Sequence, residues 1–291
     1  MIKAIHDYLH KDAFEISAHF TLLALLFNQV GNSFSRPFIL FISALALLLA
    51  NGFKQRLIWF MLSFFTSFRV LYVWPMADNH AYLLALWCLT LFIASCNPAK
   101  ARMIIGDNGR ILIGLVFLLA SVQKMLSVDY LDGTFFQYLF LTDNRFEDFT
   151  VLFGNVSFQQ IYQAQDLLSQ YQYQFSSFST NKNIVPSSLE FNLLVTISTW
   201  WNLIDQLAVA CCFLAPVGSY LHRKRDFSLM LFCITTYAVA PVAGFGWLLV
   251  SMALAQCESN TKIRIAYMSL FFIILFYYEV HIWRILVDFI H

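Results

Sequence analysis

Apolar stretches of about twenty residues recur through most of this 291-residue chain. A helix needs roughly that length to cross a bilayer, because in hydrocarbon the backbone must satisfy its own hydrogen bonds. Spans are predicted near 14–31, 37–52, 56–75, 80–97, 110–127, 190–216, 227–256 and 263–288. The second is short. The seventh is long and is interrupted by Pro241, Gly244 and Gly246, so it is either kinked or two half-helices. The chain is therefore expected to be all-α, a single polytopic transmembrane helix bundle of eight or nine spans. Composition agrees: 12% of residues are charged and 59% hydrophobic, against about 25% charged in a soluble domain. The 31 Phe, 13 Tyr and 7 Trp suit lipid contact and interfacial aromatic belts. A net charge of +1 gives no reason to expect a nucleic-acid partner.

Basic residues orient the bundle. With a cytoplasmic N-terminus, the inner segments carry Lys3, Lys11, Lys54, Arg56, Lys100, Arg102, Arg110 and the run Arg223-Lys224-Arg225. The outer connections before the seventh span carry only Arg36, Arg145 and Lys182. Lys262 and Arg264 fall outside if there are eight spans and inside if the broken span crosses twice, which favours nine passes or a re-entrant turn. The N-terminus shows no cleavable signal peptide.

The longest non-apolar segment, about 128–189, then lies outside. It is acidic at first (Asp129, Asp132, Asp143, Glu147, Asp148) and later rich in Gln, Tyr, Phe and Ser. Apolar residues at Ile161, Leu167, Leu168 and Tyr171 suggest a helix on the outer surface. The segment either covers an outward-opening site or is a tolerated linker. The six cysteines fall in or beside apolar segments with no C-x-x-C pair, so a structural metal is not expected.

Ionisable groups at membrane depth are costly, so His19, Arg69, His80, Lys124, Asp205, Glu279 and His281 are the candidates for function. Lys124 lies about 21 Å along its helix from Arg110, and Arg69 about 20 Å from Arg56. His80 opens the intervening inward span, so three successive spans put Arg69, His80 and Lys124 in one outer layer. Each also has a plainer role available: Lys124 could snorkel to headgroups, Asp78 and His80 could cap a helix, and Arg69 could pair with a lipid phosphate. Asp205 is expected near the cytoplasmic side, serving packing or a partner contact, with pairing to a basic group there as the alternative. Glu279 and His281 do not share a helix face.

Asn79-His80-Ala81-Tyr82 resembles the N-H-x-Y signature of the membrane domain shared by vitamin K-dependent γ-glutamyl carboxylase and its bacterial relatives, the horizontally transferred transmembrane domain (HTTM) family. GRILIGLVFLLASVQKMLSVDYLDG, residues 109–133, is similar to that family's span ending in Lys, an acidic patch and Gly. The resemblance implies that Lys124 is the base that deprotonates a hydroquinone and that Asn79 and His80 hold the reacting group. Arg69 and Tyr82 become candidate cofactor contacts. LLALLFN (22–28), Arg36-Pro37 and QKMLSVDYLDGT (123–134) with Tyr138 are similar to the small bacterial branch typified by the sporulation-delaying protein B. That branch implies a bacterial inner-membrane protein that matures a secreted peptide toxin beside a small partner protein. The likeness covers residues 15–140 well and 190–255 only in general character. The chain departs from the carboxylases in lacking their later His, in CITTYAVAPVAGFGW, and in lacking a large extracytoplasmic domain. The Lys124-to-Gly133 spacing is also one residue longer. Glutamate carboxylation itself is therefore not expected.

An amine in a low-dielectric pocket can act as a general base near neutral pH, because burial disfavours the ammonium form. An aromatic-lined pocket would hold an apolar quinone ring. Three readings follow: a maturation enzyme acting at the outer face, a non-enzymatic peptide-binding or export subunit, and a small-solute transporter suggested by the broken seventh span.

Overall fold

The computed structural model describes residues 7–28, 30–173, 188–240, 242–257 and 260–290. It is helical throughout, with no strand among the described residues. Pro241, Lys182 and the side chain of Tyr171 lie outside what is described.

In chain order, α1 (Ala13–Phe27), α2 (Ser35–Leu48), α3 (Arg56–Val73), α4 (Asn79–Cys96) and α5 (Ala101–Leu126) run back and forth between two faces. Short turns reverse the chain, and carboxylates fix the starts of α1 and α4. Asp12 accepts from the Phe14 N–H at 2.8 Å, and Asp78 from the Ala81 N–H at 2.7 Å. Each satisfies a backbone donor that the first helical turn leaves without a partner. Five helical segments are long and apolar enough to cross a membrane: Arg56–Val73, Asn79–Cys96, Pro98–Leu126, Leu189–Leu214 and Thr261–Val280. Their exposed flanks carry large apolar side chains such as Phe64, Leu71 and Leu119, as a surface facing lipid requires. The core between them is aromatic and aliphatic, built around Trp59, Trp87, Phe117, Phe213, Trp247 and Phe271.

Helix α10 (Leu189–Leu214) packs antiparallel to α5, and its register can be read from three contacts. Arg110 donates to the Phe213 and Ala215 carbonyls, Gly114 meets Leu214, and Lys124 meets Gln206. Glycine at 114 allows this close approach, since a Cβ there would sit 2.6 Å from Leu214 side-chain atoms and push that side chain aside. From this register α10 begins about 25 Å beyond Lys124. The excess length supports a cap of four helices, α6 (Val128–Leu131), α7 (Thr134–Thr142), α8 (Glu147–Gly154) and α9 (Phe158–Tyr173). Phe140, Phe146, Ile161, Ala164, Phe191 and Val195 close a separate core within it. The 128–189 segment, up to Tyr173, is thus folded rather than a plain linker. The buried face of α9 is Ile161 and Ala164, while Leu167 is exposed; the apolar stripe predicted from the sequence is displaced toward the helix start.

The same register corrects Asp205, which lies level with Lys124 rather than near the opposite face. Its carboxylate accepts from the Thr235 hydroxyl at 3.2 Å, not from a basic group. Helix α10 begins well beyond the membrane edge, which moves Asp205 outward from where a span starting at that edge would put it.

The interrupted seventh stretch is a hairpin, α12 (Arg225–Val239) and α13 (Ala243–Leu254), preceded by the short α11 (Tyr220–Arg223). Arg225 and Ala255–Cys257 border one cavity, so both feet stand on one face. At the other end Phe245 touches Phe117 and Gly246 lies against the Tyr237 ring. The arms rise about 22 and 18 Å, short of the roughly 30 Å of hydrocarbon. An unwound apex at that depth requires protein partners. The Ala238 carbonyl has two: it accepts from the Tyr277 hydroxyl and, at 2.6 Å, from Trp283 Nε1. Helix α14 (Thr261–Val280) follows, and Arg264 at its start donates to Leu9 and Lys11 carbonyls beside the N-terminus. The last predicted span ends earlier than 288: His281 takes a left-handed conformation at φ 47°, and α15 (Ile282–Ile290) sets off separately.

Candidate functional site at the outer end of the bundle

Helix α4 starts with Asn79 and His80 next to the end of α5, where Gln123 and Lys124 stand. Asn79 Nδ2 donates to Gln123 Oε1 at 3.3 Å, which ties the two helix ends together. Asn79, His80, Gln123 and Lys124 border a cavity of about 630 Å³, cavity A. Phe117, Phe245, Phe135 and Tyr138 supply aromatic wall, the last two from the cap. The His80 ring lies over Phe245 with centroids 4.1 Å apart.

Lys124 is held by neutral groups. Its Nζ donates to Asn202 Oδ1 and, at 2.7 Å, to Gln206 Oε1. It also sits 5.2 Å from the centroid of the Tyr130 ring, within cation–π range. The Tyr130 hydroxyl donates to the same Asn202 oxygen at 2.9 Å and approaches the Thr199 carbonyl at 3.3 Å. Burial pushes the Tyr130 phenol above its ordinary value, so it stays a donor. An ammonium has three donors, and two are spent on amides, so one remains for a bound group. No salt bridge joins Lys124 to a carboxylate among the described residues.

Asn202, Gln206 and Tyr130 were not anticipated from the sequence. A usable signal existed: Asn202, Asp205 and Gln206 stand at i, i+3 and i+4 on an otherwise apolar helix, a spacing that puts them on one face.

Arg69 and Tyr82 do not reach cavity A. Arg69 lines a second cavity of about 480 Å³, cavity B, with Asn28, Asp78, Arg145, Tyr278 and Glu279. His80 and Phe245 border both cavities and separate them. Arg69 faces Asp78 at 3.8 Å. Tyr82 packs against Trp74, ring centroids 6.2 Å apart, in a small cluster with Val70 and Ala85. Two positions after His80 on a helix, its side chain leaves on another side.

The remaining candidates are elsewhere. His19 packs against Phe53 with the rings tilted, centroids 4.4 Å apart, near the opposite face. Glu279 borders cavity B, while His281 lies past the helix end with its Nδ1 3.1 Å from the Glu279 carbonyl oxygen.

The chain matches no family model, no curated protein and no solved structure.

Proposed function

We propose that this chain is a membrane-embedded maturation enzyme, similar in its site to the vitamin K-dependent carboxylase-like membrane-domain family, that modifies a secreted peptide at the outer face of a bacterial inner membrane. The observation that carries the reading is the meeting of Asn79, His80 and Lys124 around one aromatic-walled cavity. In this reading the N-terminus is cytoplasmic, and the helices make seven full passes with the α12–α13 hairpin as a re-entrant eighth element, or nine crossings if each of its arms is counted. The hairpin then returns Lys262 and Arg264 to the cytoplasmic side with the other basic residues.

The residues fit a quinone or hydroquinone. A volume of about 630 Å³ falls in the range of small-molecule sites, and aromatic wall stands beside convergent polar groups, with the exposed Asp129 carboxylate at the edge. Asn79 and His80 would bond the ring oxygens. A hydroquinone would supply an acidic hydroxyl and a ring able to give up two electrons. Lys124 would take the hydroxyl proton, its neutral form stabilised by the absence of a paired carboxylate. Asn202 and Gln206 would aim the amine, and Tyr130 would fix Asn202. Positioning of a base typically contributes 10²–10⁴-fold to rate.

The test is binding of menaquinone to the purified protein. Wild type should retain it, and Ala120→Trp, which fills cavity A, should lose at least tenfold in retention. Equal retention by both sinks the cofactor assignment.

Cavity B supports a second reading, a non-enzymatic peptide-binding or export subunit of a membrane complex, because Arg69, Arg145 and Glu279 present fixed charges to an extended chain. Peptide bound but released with unchanged mass would favour it.

A further inference from the structure

At the face opposite cavity A, the start of α5, Val217 in the turn after α10, α11, the feet of the hairpin and the start of α14 border a cavity of about 810 Å³. Arg102 and Arg110 reach it from α5, Arg225 from α12 and His222 from α11. Arg225 Nη1 lies 2.9 Å from His222 Nε2. A guanidinium only donates, so Nε2 is the acceptor and the proton of the neutral ring is on Nδ1. That Nδ1 is buried beside the cavity and has no acceptor. A buried donor without a partner costs about 1–3 kcal/mol, so the His222 side of the cavity lacks an acceptor; on another wall Gln256 Oε1 is buried without a donor, which a protonated phosphate oxygen or water can supply.

Two carboxylates also border the cavity and have to be weighed. Asp226 is already engaged, accepting from the Tyr267 hydroxyl at 2.9 Å and facing Arg225 Nε at 3.9 Å. Asp107 is exposed at the rim. Arg110 spends one nitrogen on the Phe213 and Ala215 carbonyls at 3.3 and 3.5 Å, which aims the guanidinium without neutralising it. The local field is cationic: burial first, then the Arg225 and Arg110 guanidiniums, hold the His222 imidazole below its ordinary value. Apolar rim residues Met103 and Val217 are 57% and 75% exposed, so a cationic floor adjoins surface open to acyl chains.

We propose that this cavity binds a phosphate ester through Arg225, Arg110, Arg102 and His222 Nδ1–H, and that an anionic phospholipid headgroup supplies it. Arginine forks suit phosphate oxygens, and basic pockets between helices at a membrane face are suited to phospholipid headgroups. The site is independent of the chemistry assigned to cavity A.

Native mass spectrometry of the detergent-purified protein tests it, with equimolar phosphatidylglycerol and phosphatidylcholine as probes and inorganic phosphate in a separate arm. Wild type should retain one phosphatidylglycerol with at least fivefold preference. Arg225→Gln should reduce that preference at least fivefold, as should Arg102→Gln, which changes an exposed residue, with thermal unfolding in detergent matching wild type. Arg56→Gln, a basic residue that does not border the cavity, should not. Phosphate protection that Arg225→Gln abolishes, without lipid retention, keeps the phosphate site and assigns it to a soluble ligand. Equal retention by all four proteins, or binding of neither probe, overturns the proposal.

Discussion

On one side of His80 the Lys124 ammonium is met by two neutral amides; on the other, Arg69 faces Asp78, and Arg145 is clamped by Asp143 through Nε at 2.9 Å. The two cavities share a wall and differ in how they hold charge. In cavity B each of the two guanidiniums has a carboxylate beside it, so the surface presents paired charges that can serve recognition. In cavity A, Lys124 can release its proton without leaving an unpaired carboxylate buried next to it. Neutral dipoles give position without fixing charge, which is what a proton-transferring amine needs. That difference separates a site suited to chemistry from one suited to binding.

The comparison breaks most severely if cavity A is made to resemble cavity B. Asn202→Asp places a carboxylate against Lys124 and pairs the ammonium. Product formation should fall at least tenfold while the protein elutes and unfolds as wild type, as measured by peptide mass spectrometry and thermal unfolding in detergent. Asn202→Leu instead strips an acceptor from both Lys124 and Tyr130. It should lower unfolding free energy by about 3 kcal/mol, in the range for buried polar groups left unsatisfied. Gln206→Leu leaves Lys124 its Asn202 partner and should cost about 1–2 kcal/mol.

Cavity B predicts smaller changes. Arg69→Gln removes a long, partly exposed pair and should shift stability by less than about 1 kcal/mol, with menaquinone retention unchanged. Asp143 gives the pH arm. The side chain of Arg145 holds its carboxyl below the usual range, so the pair's contribution is present above about pH 4 and is lost as pH falls below it. Wild type and Asp143→Asn should therefore differ slightly in unfolding midpoint at neutral pH and converge in acid.

Much of this architecture is legible in the sequence because apolar runs of spanning length have few alternatives. The shared depth of Arg69, His80 and Lys124 could be counted along three helices, but sideways convergence depends on rotation about each axis, which hydropathy so uniform does not report. The structure brings His80 and Lys124 to one cavity and turns Arg69 to the next. Asp205 was misplaced because residues 189–200, Phe191 and Val195 among them, are as apolar as membrane helix although they support the cap. Asn202 and Gln206 escaped notice because neutral amides lack the cost that marks a charge in lipid. The hairpin was half visible: Gly244 and Gly246 announce an interruption, while the Tyr277 and Trp283 donors that stabilise its apex lie over thirty residues further along the chain.

The central claim is that Lys124 works as a base in cavity A. Its most direct test is the mature peptide released by cells carrying Lys124→Arg, measured by mass and yield beside wild type at matched protein levels. Arginine keeps the charge but does not deprotonate, so yield should fall about 10²–10⁴-fold. Mature peptide of the correct mass at wild-type yield would contradict the account.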